Sequence, residues 1–156
     1  IIGSSMGAWI ALNQFRYFKN QIVGMLGIGS APEFLDRLMW KKFPKKIKNE
    51  ILKKDVVVIN HGKDKKYQYP ISYQLIKDGR KNNVFSKKIL YKIQISMFHG
   101  QKDEVVPVLF SRKVLSIFKN AQKKLIIIKK GDHSLSNAKS LNMMRNELSA
   151  IVKNIS

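Results

Sequence analysis

Three residue types that together perform nucleophilic catalysis occur at separated positions of this sequence: a serine, an aspartate and a histidine. Ser5 is the centre of a Gly-x-Ser-x-Gly pattern, Asp103 lies in a polar stretch, and His133 follows a glycine and an aspartate. A serine hydroxyl is a poor nucleophile until a histidine takes its proton, and an acidic side chain fixes the tautomer of that histidine and stabilises its charged form. We therefore take Ser5, His133 and Asp103 as the candidate nucleophile, base and acid.

The sequence around Ser5 predicts a tight turn between a strand and a helix. Two isoleucines precede Gly3, and an alanine- and leucine-rich segment follows Gly7. In such a turn, a nucleophile elbow, the serine backbone is strained so that the hydroxyl projects into a cleft, and small flanking residues let strand and helix approach. We expect Gly3 and Gly7 to provide that room. The N–H of Met6, at the start of the helix, is the candidate donor to an oxyanion.

Two other acidic residues compete with Asp103 for the role of the acid. Glu104 is its neighbour, and Asp132 adjoins His133 in sequence. We prefer Asp103 because it lies in the loop just beyond a predicted strand, whereas Asp132 would have to fold back onto the adjacent histidine. His99 ends that strand beside a glycine, and we interpret it as a residue that shapes the turn.

Strands and helices alternate at both ends of the sequence, which predicts an α/β fold with a mostly parallel sheet. After the first strand, short apolar runs at 21–26, 93–98 and 125–128 are the predicted strands. The carboxyl ends of parallel strands lie at one edge of a sheet, so the three candidate residues can converge there. The last helix is predicted to bury one stripe: Leu141, Met144, Leu148, Ile151 and Ile155.

Residues 33–92 interrupt this alternation, and we interpret them as an inserted helical lid between two core segments, 1–32 and 93–156, within one domain. The insertion is basic and less regular than its surroundings, with a lysine-rich loop after His61. Its aromatic residues are candidates either for lining an apolar acyl pocket or for packing the lid: Trp40, Tyr67, Tyr69 and Tyr73.

Composition excludes several classes of protein. The 156 residues contain no cysteine, which removes disulfides, a thiolate nucleophile and a cysteine zinc site. No apolar run reaches the roughly 18 residues that a membrane span needs. The formal net charge is +20, and 17 of the 30 basic residues lie in 36–92. No nucleic-acid-binding module accompanies this charge, so we interpret the lysines as solvated surface and expect no nucleic-acid partner.

The stretch 27–32 resembles the start of a dinucleotide-binding fingerprint, with Gly27 and Gly29 in place. Pro32 occupies the position of the third glycine, which argues against that fingerprint. We therefore expect neither a nucleotide cofactor nor a metal.

The order Ser5, Asp103, His133 is that of the α/β-hydrolases, and further motifs strengthen the resemblance. The sequence is similar to the carboxyl-terminal part of an α/β-hydrolase, and it resembles the mitochondrial acyl-protein thioesterase and acyl-glucuronide esterase group with its bacterial relatives. The stretches that carry this resemblance are 3–9, 75–80, 99–107 and 131–136.

The resemblance implies a serine hydrolase of carboxylic esters or thioesters that acts through an acyl-enzyme. Its substrate would be a small-molecule acyl ester or an acylated protein, and its location would be cytoplasmic in a bacterium or mitochondrial in a eukaryote. Alternatives are another activity of this fold, such as a dienelactone hydrolase or a peptidase. From other classes, a non-catalytic remnant and a basic binding protein stay open.

The chain starts within a predicted strand, and the resemblance covers only the second half of the family's domain. We therefore expect a fragment that lacks the N-terminal strands and the second oxyanion donor, with a separate N-terminal fragment as a candidate partner. Loss of one oxyanion donor costs on the order of a hundredfold to a thousandfold in rate, and an exposed edge strand is prone to aggregation. We expect the chain alone to be poorly stable and nearly inactive.

Overall fold

The computed structural model describes residues 1–18, 21–61 and 67–154, with the side chains of His61 and Tyr67 outside the description. The chain divides into two compact units, one formed by Ile1–Pro32 with Val84–Ser156 and the other by Glu33–Asn83. The second unit lies within the segment 33–92 that the sequence predicts to be an insertion, and it ends at residue 83.

Strands and helices alternate along the first unit, and the second unit contributes its elements in the middle of the chain. The strands are β1 (Ile2–Ser4), β2 (Gly24–Ile28), β3 (Val56–His61), β4 (Tyr67–Ser72), β5 (Gln94–Gly100) and β6 (Gln122–Ile128). The α-helices of the described residues are α1 (Met6–Gln14), α2 (Lys45–Lys54), α3 (Tyr73–Lys81), α4 (Leu109–Ile117) and α5 (Ala138–Lys153).

One parallel sheet forms the first unit, with the strand order β1-β2-β5-β6. This confirms the predicted α/β class. The prediction for the second strand begins too early, because residues 21–23 form a turn and an irregular segment that lead into β2. The parallel pairing brings all four carboxyl ends to the same edge of the sheet, which is the edge that matters for the candidate residues.

Helix α1 packs on the sheet through a buried face that includes Ala8, Ala11 and Leu12. Its buried positions have helical spacing, and the following Phe15 completes the same face. The rings of Phe15 and Phe118 meet edge to face with centroids 5.1 Å apart. This apolar contact joins the start of the first unit to the segment after α4.

Helix α5 covers a core that contains Leu26, Phe98 and Leu135. Met144 and Ile151 of the predicted stripe join this core, and Leu148 packs against it. Two other members of the stripe do not follow the prediction: Leu141 is 52% exposed, and Ile155 lies outside the described residues.

A polar contact lies beside the predicted apolar stripe on α5. The buried carboxylate of Glu147 accepts a hydrogen bond from Ser96 Oγ at 2.6 Å and another from Lys124 Nζ. Because Ser96 belongs to β5 and Lys124 to β6, this contact ties the last helix to two strands. Burial of Glu147 is tolerated because both carboxylate oxygens have a partner.

Residues 84–92, which the sequence pattern places in the insertion, make their contacts within the first unit. Ile89 forms an isolated parallel bridge with Phe118. Tyr91 stacks on Phe15 with ring centroids 6.0 Å apart. Partners this distant in sequence leave no mark in local composition, and this explains the difference in the boundary.

The sequence predicts a helical insertion, but the second unit also contains strands. Its strands β3 and β4 pair as an antiparallel hairpin. Trp40 and Tyr73 pack against each other within this unit, with ring centroids 5.5 Å apart, and the Arg80 guanidinium lies 5.6 Å from the Trp40 ring. Tyr69 is exposed. The side chain of Tyr67 and the predicted loop at 62–66 lie outside the described residues. Across the part of the chain that is described, no helix is long and apolar enough to cross a membrane.

Candidate active site

Each of the three candidate residues follows a strand at the same edge of the sheet. Ser5 directly follows β1, Asp103 lies in the loop after β5, and His133 lies in the loop after β6. The backbone N–H of Ser5 donates to the carbonyl of Ile28 at 2.8 Å, which extends the pairing of β1 and β2 by one residue. The position of the serine is thus fixed by the sheet itself.

Ser5 has the strained backbone that the sequence predicts, with φ 50° and ψ −117°. A non-glycine residue in such a region costs on the order of 1–3 kcal/mol and persists only where its surroundings hold it. Here the carbonyl of Ser5 accepts hydrogen bonds from the N–H groups of Ala8 at 3.2 Å and Ala31 at 3.1 Å. The Ser5 side chain does not cap α1, so its hydroxyl is available for another contact.

The two glycines of the elbow differ in what they contribute. A Cβ added to Gly3 would lie 2.5 Å from the Cα of Ala8, so strand and helix approach as closely as they do because Gly3 has no side chain. A Cβ added to Gly7 would meet no heavy atom of the described residues within 4 Å. The prediction that Gly3 provides room is confirmed, and the same prediction for Gly7 is wrong.

The side chains of Ser5, His133 and Asp103 form one hydrogen-bonded chain. His133 Nε2 lies 2.9 Å from Ser5 Oγ, and His133 Nδ1 lies 2.8 Å from Asp103 Oδ2. A carboxylate oxygen only accepts, so Nδ1 of a neutral His133 carries the proton and Nε2 is left to accept from the Ser5 hydroxyl. This is the tautomer in which a histidine can act as a base toward the serine.

The Asp103 carboxylate is almost fully buried, with 1% of its side chain exposed. Its Oδ1 accepts from the N–H groups of Val105 at 2.9 Å and Val106 at 2.8 Å. Burial by itself raises the pKa of Asp103, but hydrogen bonds from His133, from His99 and from the Val106 N–H lower it, and the net pKa is well below the usual range. Asp103 is therefore an anion at neutral pH.

The two competing acids have other surroundings. Asp132 is exposed, and its Oδ1 accepts from the Leu135 N–H at 2.9 Å and from Ser134 Oγ at 3.1 Å. The hydrogen bond from Leu135 is the main reason why the pKa of Asp132 is lowered. Asp132 thus holds the turn that carries His133. The other competing acid, Glu104, has an exposed side chain. The carboxylate that the structure brings to His133 is that of Asp103.

Gly29 lies against His133, and the sequence patterns did not reveal this contact. It follows β2 with φ 50°, and a Cβ added there would lie 3.1 Å from both Cε1 and Nδ1 of the imidazole. The sequence signal was present as the second glycine of the Gly-x-Gly pattern at 27–29. That pattern is compatible with a phosphate site, but here it serves the close approach of a side chain.

Met6 is the first residue of α1. The first four N–H groups of a helix have no acceptor within the helix, and the helix dipole is positive at this end. Met6 directly follows Ser5 in the chain, and its N–H is one of these groups without an intrahelical acceptor. Among the described residues, no group of three or more histidine, aspartate or glutamate side chains is arranged to hold a metal ion.

Known proteins resemble the chain in sequence and in fold. No family model matches the chain. The chain is 24% identical over 144 residues to the mitochondrial palmitoyl-protein thioesterase ABHD10 of Pongo abelii, covering 92% of this chain and 47% of the relative. It therefore spans about half the length of that relative.

Two solved structures extend the comparison. A putative hydrolase from Agrobacterium vitis superimposes with a TM-score of 0.88 at 26% identity, covering 96% of this chain and 59% of the other. Mouse α/β hydrolase domain-containing protein 10 superimposes with a TM-score of 0.85 at 22% identity, covering 99% and 62%. The fold and the strand-end arrangement of the site place the chain in the α/β-hydrolase superfamily. Within it, the chain is related to the ABHD10 thioesterases and to bacterial hydrolases.

Proposed function

We propose that the chain carries the catalytic centre of a serine hydrolase that cleaves carboxylic esters or thioesters. The observation that carries this proposal is the continuous hydrogen-bonded chain from Ser5 through His133 to Asp103. The strained backbone of Ser5 supports it, because such strain at a tight turn is typical of a nucleophile.

The reaction follows from the proton positions at these three residues. Ser5 Oγ attacks the acyl carbonyl carbon while its proton moves to His133 Nε2, and Asp103 stabilises the resulting imidazolium. The carbonyl oxygen becomes an oxyanion next to the Met6 N–H. When the tetrahedral intermediate collapses, the bond to sulfur or oxygen breaks and His133 returns the proton to the leaving thiol or alcohol.

The acyl group is then bound to Ser5 as an ester. A water molecule attacks its carbonyl carbon and gives one proton to His133 Nε2, and this proton returns to Ser5 Oγ as the carboxylic acid leaves. All proton transfers use one histidine nitrogen, so the cycle needs no metal and no cofactor.

For the substrate, we propose a long-chain acyl thioester on a protein. The support is the relationship to a protein named palmitoyl-protein thioesterase, together with the resemblance of the stretches 75–80 and 131–136 to that group. A thioester is also compatible with the site, because a thiol leaves more readily than an alcohol and asks less of the general acid. By the same relationship we propose a mitochondrial location for a eukaryotic source and a cytoplasmic one for a bacterial source.

A further part of the proposal concerns the free edge of the sheet. Within the described residues β1 pairs with β2 alone, and several apolar side chains on β1 and α1 are exposed: Ile1, Ile2, Met6 and Ile10. We propose that an N-terminal segment, supplied by a longer chain or by a separate fragment, pairs with this edge and contributes the second oxyanion donor. Activity of residues 1–156 alone is then reduced on the order of a hundredfold to a thousandfold.

A fluorophosphonate probe tests the proposed nucleophile directly, because it forms a stable covalent adduct with an activated serine. We expect the purified chain to form a slow 1:1 adduct on the peptide that contains Ser5, detected by mass spectrometry. Ser5→Ala should abolish the adduct, and Ser4→Ala should retain it, since Ser4 is the exposed neighbour at the end of β1. A folded chain without any adduct, or an adduct that survives in Ser5→Ala, would contradict the proposal and favour a non-catalytic or binding role.

The leaving group is tested by comparing an S-palmitoyl peptide with the matched O-palmitoyl serine peptide. Faster Ser5-dependent release of palmitate from the S-acyl peptide is the expected result. If the parent chain and Ser5→Ala release palmitate from the two peptides at the same rates, the hydrolysis is spontaneous and is not catalysed by Ser5. Preference for a small lactone or for an amide bond would favour a dienelactone hydrolase or a peptidase.

A further inference from the structure

A second histidine, His99, lies behind the Asp103 carboxylate and is fully buried. Its sequence position beside Gly100 at the end of β5 suggested a residue that shapes a turn. In the structure its ring makes three polar contacts, with Ser111, Val106 and Asp103. A buried ring with three polar contacts is held in one orientation, which a turn-shaping role does not require.

The contacts of His99 determine which ring nitrogen carries the proton. Nε2 lies 2.8 Å from the Val106 carbonyl oxygen and 3.2 Å from Asp103 Oδ2, and both of these atoms are acceptors. Nε2 must therefore be the donor. Nδ1 lies 2.8 Å from Ser111 Oγ, and the serine hydroxyl can donate to it. The neutral Nε2–H tautomer thus satisfies the contacts with Val106 and Ser111, and it directs no lone pair at Asp103 Oδ2.

His99 and His133 meet the same carboxylate oxygen. Asp103 Oδ2 lies 3.2 Å from His99 Nε2 and 2.8 Å from His133 Nδ1, while Oδ1 is held by two backbone N–H groups. The hydrogen bond of His99 Nε2–H goes to the Val106 carbonyl, and the same nitrogen lies 3.2 Å from Oδ2. His99 thus adds a second polar contact on Oδ2 beside His133, and this contact limits rotation of a carboxylate whose Oδ1 is held by the backbone.

We infer that His99 is a positioning residue for the Asp103 carboxylate: its Nε2–H, shared between the Val106 carbonyl and Asp103 Oδ2, favours the orientation in which Oδ2 receives the Nδ1–H of His133. The inference rests on the proposed function, because a positioning role has meaning only if Asp103 acts on a catalytic histidine. The polar contacts given for the His99 ring are with Ser111, Val106 and Asp103, and of these only Asp103 belongs to the proposed catalytic centre, so His99 acts through Asp103. The anchor is rigid because Ser111 of α4 fixes the other side of the ring.

Two amide substitutions separate positioning from packing. The amide nitrogen of glutamine reaches about as far as His99 Nε2, whereas that of asparagine reaches only about as far as Nδ1. His99→Gln therefore keeps a donor toward Asp103, and His99→Asn loses it. Urea unfolding of both variants and of the parent chain gives the conditions under which each is folded, so that every comparison is made on folded protein.

The first readout is spectroscopic and needs no activity. In ¹⁵N-histidine-labelled protein, we expect His99 as the Nε2–H tautomer and a low-field proton resonance from the Nδ1–H of His133. His99→Asn should lose or strongly shift that resonance, and His99→Gln should restore it. An unchanged resonance in His99→Asn, no such resonance in the parent chain, or an Nδ1–H tautomer of His99 would each overturn the inference.

The second readout is the rate constant of fluorophosphonate labelling. We expect His99→Asn to label on the order of tenfold to a hundredfold more slowly, as small misplacements of a catalytic group do, and His99→Gln to recover most of the rate. If the parent chain fails to label, the proposed function fails, and the resonance of His133 still decides whether His99 orients Asp103. A variant with lower stability but with an unchanged resonance and rate would reduce His99 to a packing residue.

Discussion

The backbone of Gly29 lies directly against the imidazole of His133, so closely that a Cβ at Gly29 would come within 3.1 Å of two ring atoms. Gly29 also has φ 50°, a conformation that side-chain-bearing residues adopt at a cost. The end of β2, which carries no reacting group, thus supports the ring that links Ser5 to Asp103.

We predict that Gly29→Ala displaces the His133 ring and slows labelling of Ser5 by at least tenfold. The added methyl group should also cost about 1–2 kcal/mol in the free energy of unfolding, because both the contact and the positive φ are unfavourable. Labelling rates of the folded variant and urea unfolding measure the two effects separately. A normal labelling rate would mean that the ring does not depend on this contact.

The two glycines that flank Ser5 should respond in opposite ways to alanine. Gly3→Ala places a methyl group against the backbone of Ala8, so we expect a loss of folding or of the elbow geometry, with labelling abolished. Gly7→Ala enters open space in the described residues and replaces a helical glycine, which favours the helix by up to about 1 kcal/mol. Thermal unfolding measures the effect of each substitution on stability, and the labelling rate of Ser5 measures its effect on the elbow. Equal damage by both substitutions would indicate that another segment packs against Gly7.

The pH dependence of stability should report the buried Asp103. Its folded pKa lies below its usual value because hydrogen bonds to the carboxylate outweigh the opposing effect of burial. The ionised carboxylate therefore stabilises the fold at pH values above its unfolded pKa of about 3.9, and this contribution is lost as the pH falls through the lower, folded pKa.

Comparison with Asp103→Asn at acid pH shows that contribution, because the other carboxylates are common to both proteins. We expect the difference in unfolding free energy between the two proteins to shrink as the pH falls below about 4. Urea unfolding at a series of pH values measures it. A difference that stays constant down to pH 3 would mean that the carboxylate is not held as an anion in the folded state. At neutral pH the same substitution should slow labelling by about 10⁴-fold, since the amide supports the wrong histidine tautomer.

Local chemistry explains what could be predicted from the sequence. The elbow around Ser5 depends on residues within a few positions of one another, and the strand ends before Asp103 and His133 are marked by apolar runs that stop at polar residues. Parallel pairing then places these ends together, so spacing and order were sufficient to select the three residues that the structure brings into contact.

Contacts between distant segments explain what could not be predicted. The roles of Gly29 and His99 depend on what reaches them from β6 and α4, and neither partner is adjacent in sequence. The same holds for Glu147, which lies outside the predicted apolar stripe and is buried because Ser96 and Lys124 hold its carboxylate. A polar residue at a buried position is compatible with the pattern only once its partners are known.

The loop that carries His133 is anchored by Leu135, which is fully buried in the core beside Phe98 although its φ is 49°. We predict that Leu135→Ala lowers the free energy of unfolding by about 2–5 kcal/mol, as expected for loss of a buried leucine. Because the anchor lies two residues after His133, the folded variant should also label more slowly. Leu141→Ala is the matched control: Leu141 belongs to the predicted stripe but is largely exposed, so its loss should cost no more than about 0.5 kcal/mol and leave labelling unchanged. Equal effects of the two substitutions in urea unfolding would mean that α5 packs on the sheet in another rotation, and that Leu135 is not what holds the histidine loop.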